Sequence, residues 1–361
     1  MLKYNLYMIG NIYFEILEAW ENKEYYVKIV EQKGDERYFI YGETLRPGMW
    51  LRSDRSYLSD YFVEIWDGDQ LREEIDVIKH ITSLKVFITL ESKSIGDNLA
   101  WIPYCLEFKK QYKCDVVVST FHNTLFKSVY PELSFVEPGC VVHGIMAMFH
   151  VGWDWNPNNE PQEPNLIPLQ KAATNILNLE FREIKPRIAF LPKKRPMKDK
   201  YIAISTRSTS QAKHWYYWQD LINILKEKEY KVVEVSLEGS DFQGLEPVED
   251  RSPENVMNLI HYSEFLIGLG SGSSWLAWAL GKRVVMISNF SKDGHEFTTN
   301  CIRIKDTSIC HGCWNNPMFR FNKGDWNWCP EHEHTDRQFE CHKLISAENV
   351  MKQIMKKGLL N

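Results

Sequence analysis

Four short stretches of this 361-residue sequence hold side chains suited to chemistry. Near the C-terminus, CHGCWNNPMFRFNKGDWNWCPEHEHTDRQFEC places Cys310, Cys313, Cys329 and Cys341 in one polar, aromatic segment. A C-x-x-C pair with two more distant thiols is the donor set of a tetrahedral four-thiolate site, for zinc or for a single iron. His311, His332, His334 and His342 are neighbours and alternative donors, but four thiolates already fill a closed, structural shell. Such a site would staple a loop rich in tryptophan (Trp314, Trp326, Trp328). The second stretch, GLGSGSSWLAWALG, ends a strand at 268–270 and opens a helix near Ser273. Gly270, Ser271, Gly272 and Ser273 would let a phosphate approach the backbone at a helix N-terminus. The pattern is neither a Walker loop nor G-x-G-x-x-G, and tight strand-to-helix packing would also select it. Trp275 and Trp278 read as core. The third stretch, STRSTSQAKHWYYW, offers Thr206, Arg207 and Lys213, hydroxyls and cations for a diphosphate. The fourth, KSIGDNLAWIPY, holds Asp97, which either caps a helix or serves as a general base toward an acceptor hydroxyl.

These stretches need elements to position them. Residues 1 to about 75 alternate as NIYFEIL, EYYVKIV, RYFIYG and SDYFVEIWDGD, separated by the turn material ENKE, QKGDE, RPGM and RSDRS. That pattern predicts a small antiparallel β domain. From about residue 84 the order becomes strand (LKVFITL), helix (LAWIPYCLEFKKQY) and strand (CDVVVST), the signature of a parallel sheet. FHNTLFKSVYPEL reads as a helix and GCVVHGIMAMF as a further strand. WDWNPNNEPQEPNLIPLQ reads as loop and KAATNILNLEF as a helix, and the cationic, proline-bearing 182–200 as a linker. A second alternating set follows: YIAIST, WYYWQDLINILKEKEY, YKVVEVS, SPENVMNLIHYS opened by a Ser-Pro cap, EFLIGLG, SSWLAWALG and RVVMIS. Open α/β sheets bind ligands beyond the C-terminal ends of their strands, so a cleft between two such halves is the expected site. Cys105, Cys114, Cys140 and Cys301 read as buried strand and helix residues.

Composition limits the function classes. With 43 Lys and Arg against 48 Asp and Glu, the net charge of -5 supplies no general basic field for nucleic acid. No apolar run reaches the length of a membrane span, and the start carries acids inside its apolar run instead of a signal-peptide core. The expectation is a cytoplasmic chain whose cysteines stay reduced and bind metal. The α/β halves contain no D-x-D pair, which fits a transferase that neutralises its leaving diphosphate with Lys213 and a helix end instead of a catalytic divalent ion.

Taken together, SIGDNLAWIPY, TSQAKHW, GSGSSWLAWA and CHGCW…WCPEH…TDRQFEC resemble the bacterial autotransporter heptosyltransferases over nearly the whole chain. The resemblance implies a GT-B α/β fold: two Rossmann-like domains facing a cleft, a small N-terminal β domain, and a four-cysteine metal-binding loop near the C-terminus. It places an N-terminal β domain at 1–78, an acceptor-side domain at 79–185 and a donor-binding domain with the metal site at 186–361. It implies transfer of heptose from ADP-heptose to serine hydroxyls of an autotransporter passenger; the residues alone leave as alternatives a lipopolysaccharide- or capsule-type glycosyltransferase with a sugar acceptor, or a metal-binding scaffold without transferase activity. It also implies one iron on Cys310, Cys313, Cys329 and Cys341, and a large homo-oligomer, a dodecamer in the best-known members. By the same resemblance Asp97 is the catalytic aspartate, Lys213 holds the donor diphosphate, and 270–273 form the donor loop. Asn98 stands where the family carries leucine.

Overall fold

The computed structural model describes residues 2–19, 23–153, 155–321 and 327–360. The roles expected of Trp326, of part of the ENKE turn and of Asp154 in the WDWNPNN loop lie outside the described residues. The chain divides into two compact units. The first comprises Met1–Lys93, Trp101–Pro164 and Gln170–Arg182, and the second Ser94–Ala100, Asn165–Leu169 and Glu183–Asn361.

The first unit carries β1 (Lys3–Ile9), β2 (Ile12–Glu18), β3 (Tyr25–Lys33), β4 (Glu36–Leu45), β5 (Trp50–Arg52), β6 (Tyr61–Asp67), β7 (Gln70–Asp76) and the short α1 (Val77–Ile81). It continues with β8 (Lys85–Leu90), most of α2 (Ile95–Tyr112), β9 (Asp115–Thr120), α3 (Asn123–Phe126), β10 (Ser134–Val136), β11 (Ala147–Val151) and most of α4 (Leu169–Leu177). The strands before residue 78 serve two sheets. β4, β3, β6 and β7 form an antiparallel sheet in that order. Its β3–β4 hairpin closes through Gly34, whose φ of +59° at the first central position is the conformation a two-residue hairpin turn asks of glycine. β1, β2 and β5 instead extend the α/β sheet, whose order is β10-β9-β8-β11-β1-β2-β5. The junction is the parallel pair β1–β11, with Met8 opposite Ala147. β2 shows why: Ile12, Phe14 and Ile16 are fully buried on one face, so the strand needs a covered sheet.

Two expected elements shrink. FHNTLFKSVYPEL is helical only over Asn123–Phe126, and within GCVVHGIMAMF only Ala147–Val151 is strand. Gly139 and Gly144 have φ of +86° and +70°, so the chain turns through 138–144 and pairing begins only at Met146, whose N–H reaches Lys85 O at 2.9 Å. Cys140 is consequently exposed, not buried as its apolar neighbours suggested, and Cys301 is half-buried; Cys105 and Cys114 are buried as expected.

The second unit is a doubly wound layer of β12 (Tyr201–Ile204), β13 (Lys231–Glu234), β14 (Leu266–Leu269), β15 (Val284–Ile287) and β16 (Cys301–Ile304). All neighbours are parallel, in the order β13-β12-β14-β15-β16. The sequences YIAI, LIGL and VVMI are buried at every position, as strands covered on both faces must be. The helices are α5 (Trp218–Glu227), α6 (Pro253–Tyr262), α7 (Gly272–Ala279), α8 (Glu340–Lys343) and α9 (Ala347–Lys356). α6 starts as its sequence promised: Ser252 Oγ accepts from Asn255 N at 3.3 Å and Pro253 occupies the first turn. α5 and α9 share one apolar core through Leu221, Leu225, Val350 and Ile354. No helix among the described residues is long and apolar enough to cross a membrane.

Candidate active site and metal centre

The first two turns of α2 belong to the second unit, and that is what assembles the site. Gly96 packs against α7: a Cβ there would lie 3.2 Å from Trp275 Cδ1 and 3.3 Å from Gly272 Cα. A Cβ on Gly272 would sit 2.5 Å from Ile95 Cγ2. Two helix N-termini therefore meet almost backbone to backbone, concentrating their partial positive charge in one place. Both glycines are demanded by packing, whatever the ligand. Gly272→Ala should cost about 1–3 kcal/mol of stability. In urea unfolding, Ile95→Ala in the same chain should restore part of that loss, and an unchanged midpoint in the single variant would show the contact to be slack.

Asp97 lies inside the first turn of α2, not ahead of it, so the simple N-cap reading does not apply. Asn98, one residue on, is fully buried and donates from Nδ2 to Ser94 O at 2.7 Å. Its side chain is thus committed to the start of its own helix.

Lys213 ends a short 3-10 turn, Gln211–Lys213, that follows β12. Its Nζ donates to Gly270 O at 2.8 Å. Burial lowers the Lys213 pKa, while the negative charges of Glu296 and Asp97 oppose that fall and Arg303 adds to it. Asp97 thus lies near enough to Lys213 for its charge to act on the ammonium. Beneath them lies a charged layer that sequence reasoning missed. Glu296 is buried, paired with Arg303, and accepts from Ser291 Oγ at 3.0 Å on both oxygens. Burial alone would raise its carboxyl, yet the Arg303 guanidinium, with Lys213, holds it down to about 2. Glu296 also explains the third glycine, because a Cβ on Gly270 would lie 2.5 Å from its Oε1. Nothing in HEFTTNCIRIK announces such a pair, since its meaning is wholly tertiary.

His295 completes the layer. Trp314 Nε1 donates to its Nε2 at 2.9 Å, so the ring proton sits on Nδ1 and reaches Ile167 O at 2.9 Å. Burial lowers its pKa and keeps the ring neutral. Trp275 and Trp278 are core as expected, with Trp278 stacked on Phe297 at 4.7 Å. Ser271 Oγ is buried without a hydrogen-bond partner among the described residues, and Ser273 is half-buried in the first turn of α7. Thr206 is buried, its N–H directed to Glu234 Oε1 at 3.4 Å. Arg207 stands apart: it is exposed, its Nε donates to Gly239 O at 3.3 Å, and it is not among the charges acting on Lys213.

The four clustered cysteines line a single small cavity of about 10 Å³, together with Ala212, Trp328 and Glu340. Burial raises the Cys310 thiol to about 11 and the Cys341 thiol to about 12, and each thiol feels its neighbours as like charges. Cys313 is raised in the same way. Deprotonated together, the four sulfurs would place like charges in one buried pocket, which a bound cation would offset. Phe339 N donates to Cys329 Sγ at 3.3 Å, which fixes the orientation of that sulfur. The spacing did not reveal a second set: Cys310, His332 and Glu340 present ligand atoms within 4.8 Å of one another. Glu340 is already bound by Arg337 through two 2.7 Å contacts and by His332 at 3.3 Å. His342 is turned elsewhere, accepting from Asn289 N at 3.1 Å.

The cysteine-bearing loop and the residues after it also brace the Lys213 turn. Gln211 N donates to Asn327 Oδ1 at 2.9 Å, Trp215 Nε1 to Ile345 O at 2.7 Å, and Tyr217 OH to Lys343 O at 2.6 Å. Ala212 itself forms part of the thiol cavity wall.

No family model matches the chain. The autotransporter heptosyltransferase TibC of Escherichia coli O78:H11 is 31% identical, over 83% of this chain and 78% of its own. Aah of Escherichia coli, another autotransporter heptosyltransferase, is 29% identical over 91% of this chain and 87% of its own. BimC of Burkholderia thailandensis, described as an inactive autotransporter heptosyltransferase, is 28% identical over 84% of this chain and 75% of its own. The crystal structure of TibC, a dodecameric iron-containing heptosyltransferase in complex with ADP-D-beta-D-heptose, superposes with a TM-score of 0.85 at 27% identity, covering 99% of this chain and 96% of that one. The fold, the identity and the coverage agree: this chain belongs to the autotransporter heptosyltransferases.

Proposed function

We propose that this enzyme moves heptose from ADP-heptose to serine hydroxyls of an autotransporter adhesin, using Asp97 and Lys213. The observation that carries the reading is the packing of Gly96, next to Asp97, on Gly272, with Lys213 Nζ on Gly270 O of the same bend and the Asp97 charge acting on it. In the reaction Asp97 takes the proton of the acceptor hydroxyl, the serine oxygen bonds to the anomeric carbon, and the bond from that carbon to the diphosphate breaks. ADP leaves with the electron pair. Its charge is met by the Lys213 ammonium and by the N-termini of α2 and α7, which need no reorganisation to do so.

Cys310, Cys313, Cys329 and Cys341 hold one iron in this reading, supported by their shared cavity and by the iron-containing relative. When bound, the ion supplies a structural staple with all its positions filled by protein. The residues 210–217 that it braces then keep Lys213 aimed at the glycine bend. TibC supports a large homo-oligomer here too. The absence of disulfides among the described residues and the use of a nucleotide sugar fit a cytoplasmic enzyme.

The testing experiment is donor binding by calorimetry. ADP-heptose should bind wild type in preference to UDP- and GDP-sugars, and Lys213→Met should weaken it about 10–100-fold, the loss expected for one charge-assisted contact. Equal affinity in Lys213→Met would remove the lysine from the donor site.

A further inference from the structure

A second pocket lies in the first unit, made wholly of residues the transfer chemistry does not use. It has a volume of about 570 Å³, within the range of small-molecule sites, about 300–1,000 Å³. Asn11 from the β1–β2 turn, Tyr41 of β4, Arg52 of β5, Asp54, Asn156 and Asn158 line it. The pocket is built, not a chance hollow. Ser53 Oγ accepts from Ile12 N at 3.1 Å, tying the β5 end to β2. Arg55 Nη1 donates to Asn158 Oδ1 at 2.9 Å and to Pro157 O at 3.0 Å, tying the 156–159 turn to the same strand end. Asn156 Oδ1 accepts from Asn158 N at 2.9 Å and Asn159 N at 3.2 Å. The amide oxygens of Asn156 and Asn158 are therefore spent inside the protein. Their Nδ2 groups, the Asn11 amide and the Arg52 guanidinium make no side-chain hydrogen bond or ion pair among the described residues.

The lining chemistry selects the ligand. Among the described residues, Arg52 and Asp54 are the charged residues of the wall, and Asp54, which also faces Arg55 Nε at 3.9 Å, places a carboxylate there that disfavours a phosphate or an acidic peptide. Side-chain amides, a guanidinium fork and a carboxylate match vicinal hydroxyl groups, each of which both donates and accepts. Tyr41, 41% exposed, adds an aromatic face for the C–H side of a pyranose ring.

We propose that this pocket binds a neutral saccharide carried by the acceptor: a heptose already attached to the adhesin, held while another serine is modified. The inference rests on the transfer reading for the identity of its sugar, and the glycosidic bond it needs is the one that transfer forms. No bond is made or broken in this pocket.

The test uses the full-length enzyme and a synthetic methyl heptopyranoside, observed by saturation-transfer NMR, so that no turnover is required. Wild type should bind the glycoside, and saturating ADP should leave the signal in place. Arg52→Ala and Asn11→Ala should each weaken binding about 10-fold. Both variants should still transfer heptose to a peptide with a single serine at the wild-type rate, while multiply serine-bearing passengers should end with fewer sugars per chain. Failure of wild type to bind, displacement by ADP, or undiminished affinity in both variants would overturn the proposal. None of those results would touch the donor calorimetry on which the transfer reading is judged.

Discussion

Asp97→Asn is expected to lower the transfer rate about 10²–10⁴-fold, the usual contribution of a positioned general base. The substitution keeps the shape of the side chain and its place in the first turn of α2, so the fold and the packing of Gly96 on Gly272 should persist. It removes the one negative charge, besides Glu296, that supports the Lys213 ammonium. ADP-heptose affinity should then change by less than about 3-fold, because the donor diphosphate itself becomes the partner of Lys213. The signature is a fall in kcat with donor binding retained. A large loss of donor affinity with normal kcat would instead make Asp97 an electrostatic support for the lysine. This distinction matters for the family, since one relative of similar identity is described as inactive.

The second large effect belongs to the metal loop. Cys313→Ser should abolish stoichiometric iron, read by elemental analysis, and lower the melting temperature by about 10 °C or more, as loss of a structural metal does. Cys313 is buried in the cavity wall and its thiol is repelled by Cys341, Cys310 and Cys329, so any remaining three thiols form an incomplete shell. The loop residues next to that cavity hold the Lys213 turn through Asn327, Lys343 and Ile345. Donor affinity should fall along with stability, at temperatures where the chain is still folded. His332→Ala separates the two candidate ligand sets. It should leave iron content unchanged if the four cysteines are the ligands, and deplete it if Cys310, His332 and Glu340 are.

The sequence exposed the second unit well because its strands are buried on both faces. YIAI, LIGL and VVMI read as uninterrupted apolar runs, and Ser252-Pro253 marked a helix start. β16 and α9 were passed over. CIRI alternates too weakly to declare itself, but Ser346 before AENVMKQIMK was a usable cap signal, and its Oγ indeed accepts from Asn349 N at 3.2 Å. The pairing of β1 with β11 joins residues about 140 positions apart, which no local pattern encodes. The site was legible where chemistry follows local spacing, as with the cysteines and the Gly-Ser bend. It was hidden where long-range packing gives a residue its meaning. Glu296 and Arg303 lie on a loop and a strand with no motif, and Glu340 became a candidate ligand only when α8 was placed beside Cys310. The glycines had two causes, and sequence alone displayed only the ligand one.

The most direct measurement is the intact mass of a serine-rich autotransporter passenger after incubation with this enzyme and ADP-heptose, with the ADP released counted in parallel. The expected result is a ladder of whole-heptose increments, mapped to serine by fragmentation, with one ADP formed per sugar and no ladder from Asp97→Asn. Tight binding of ADP-heptose with an unmodified passenger, or a ladder that persists without the Asp97 carboxylate, would contradict it.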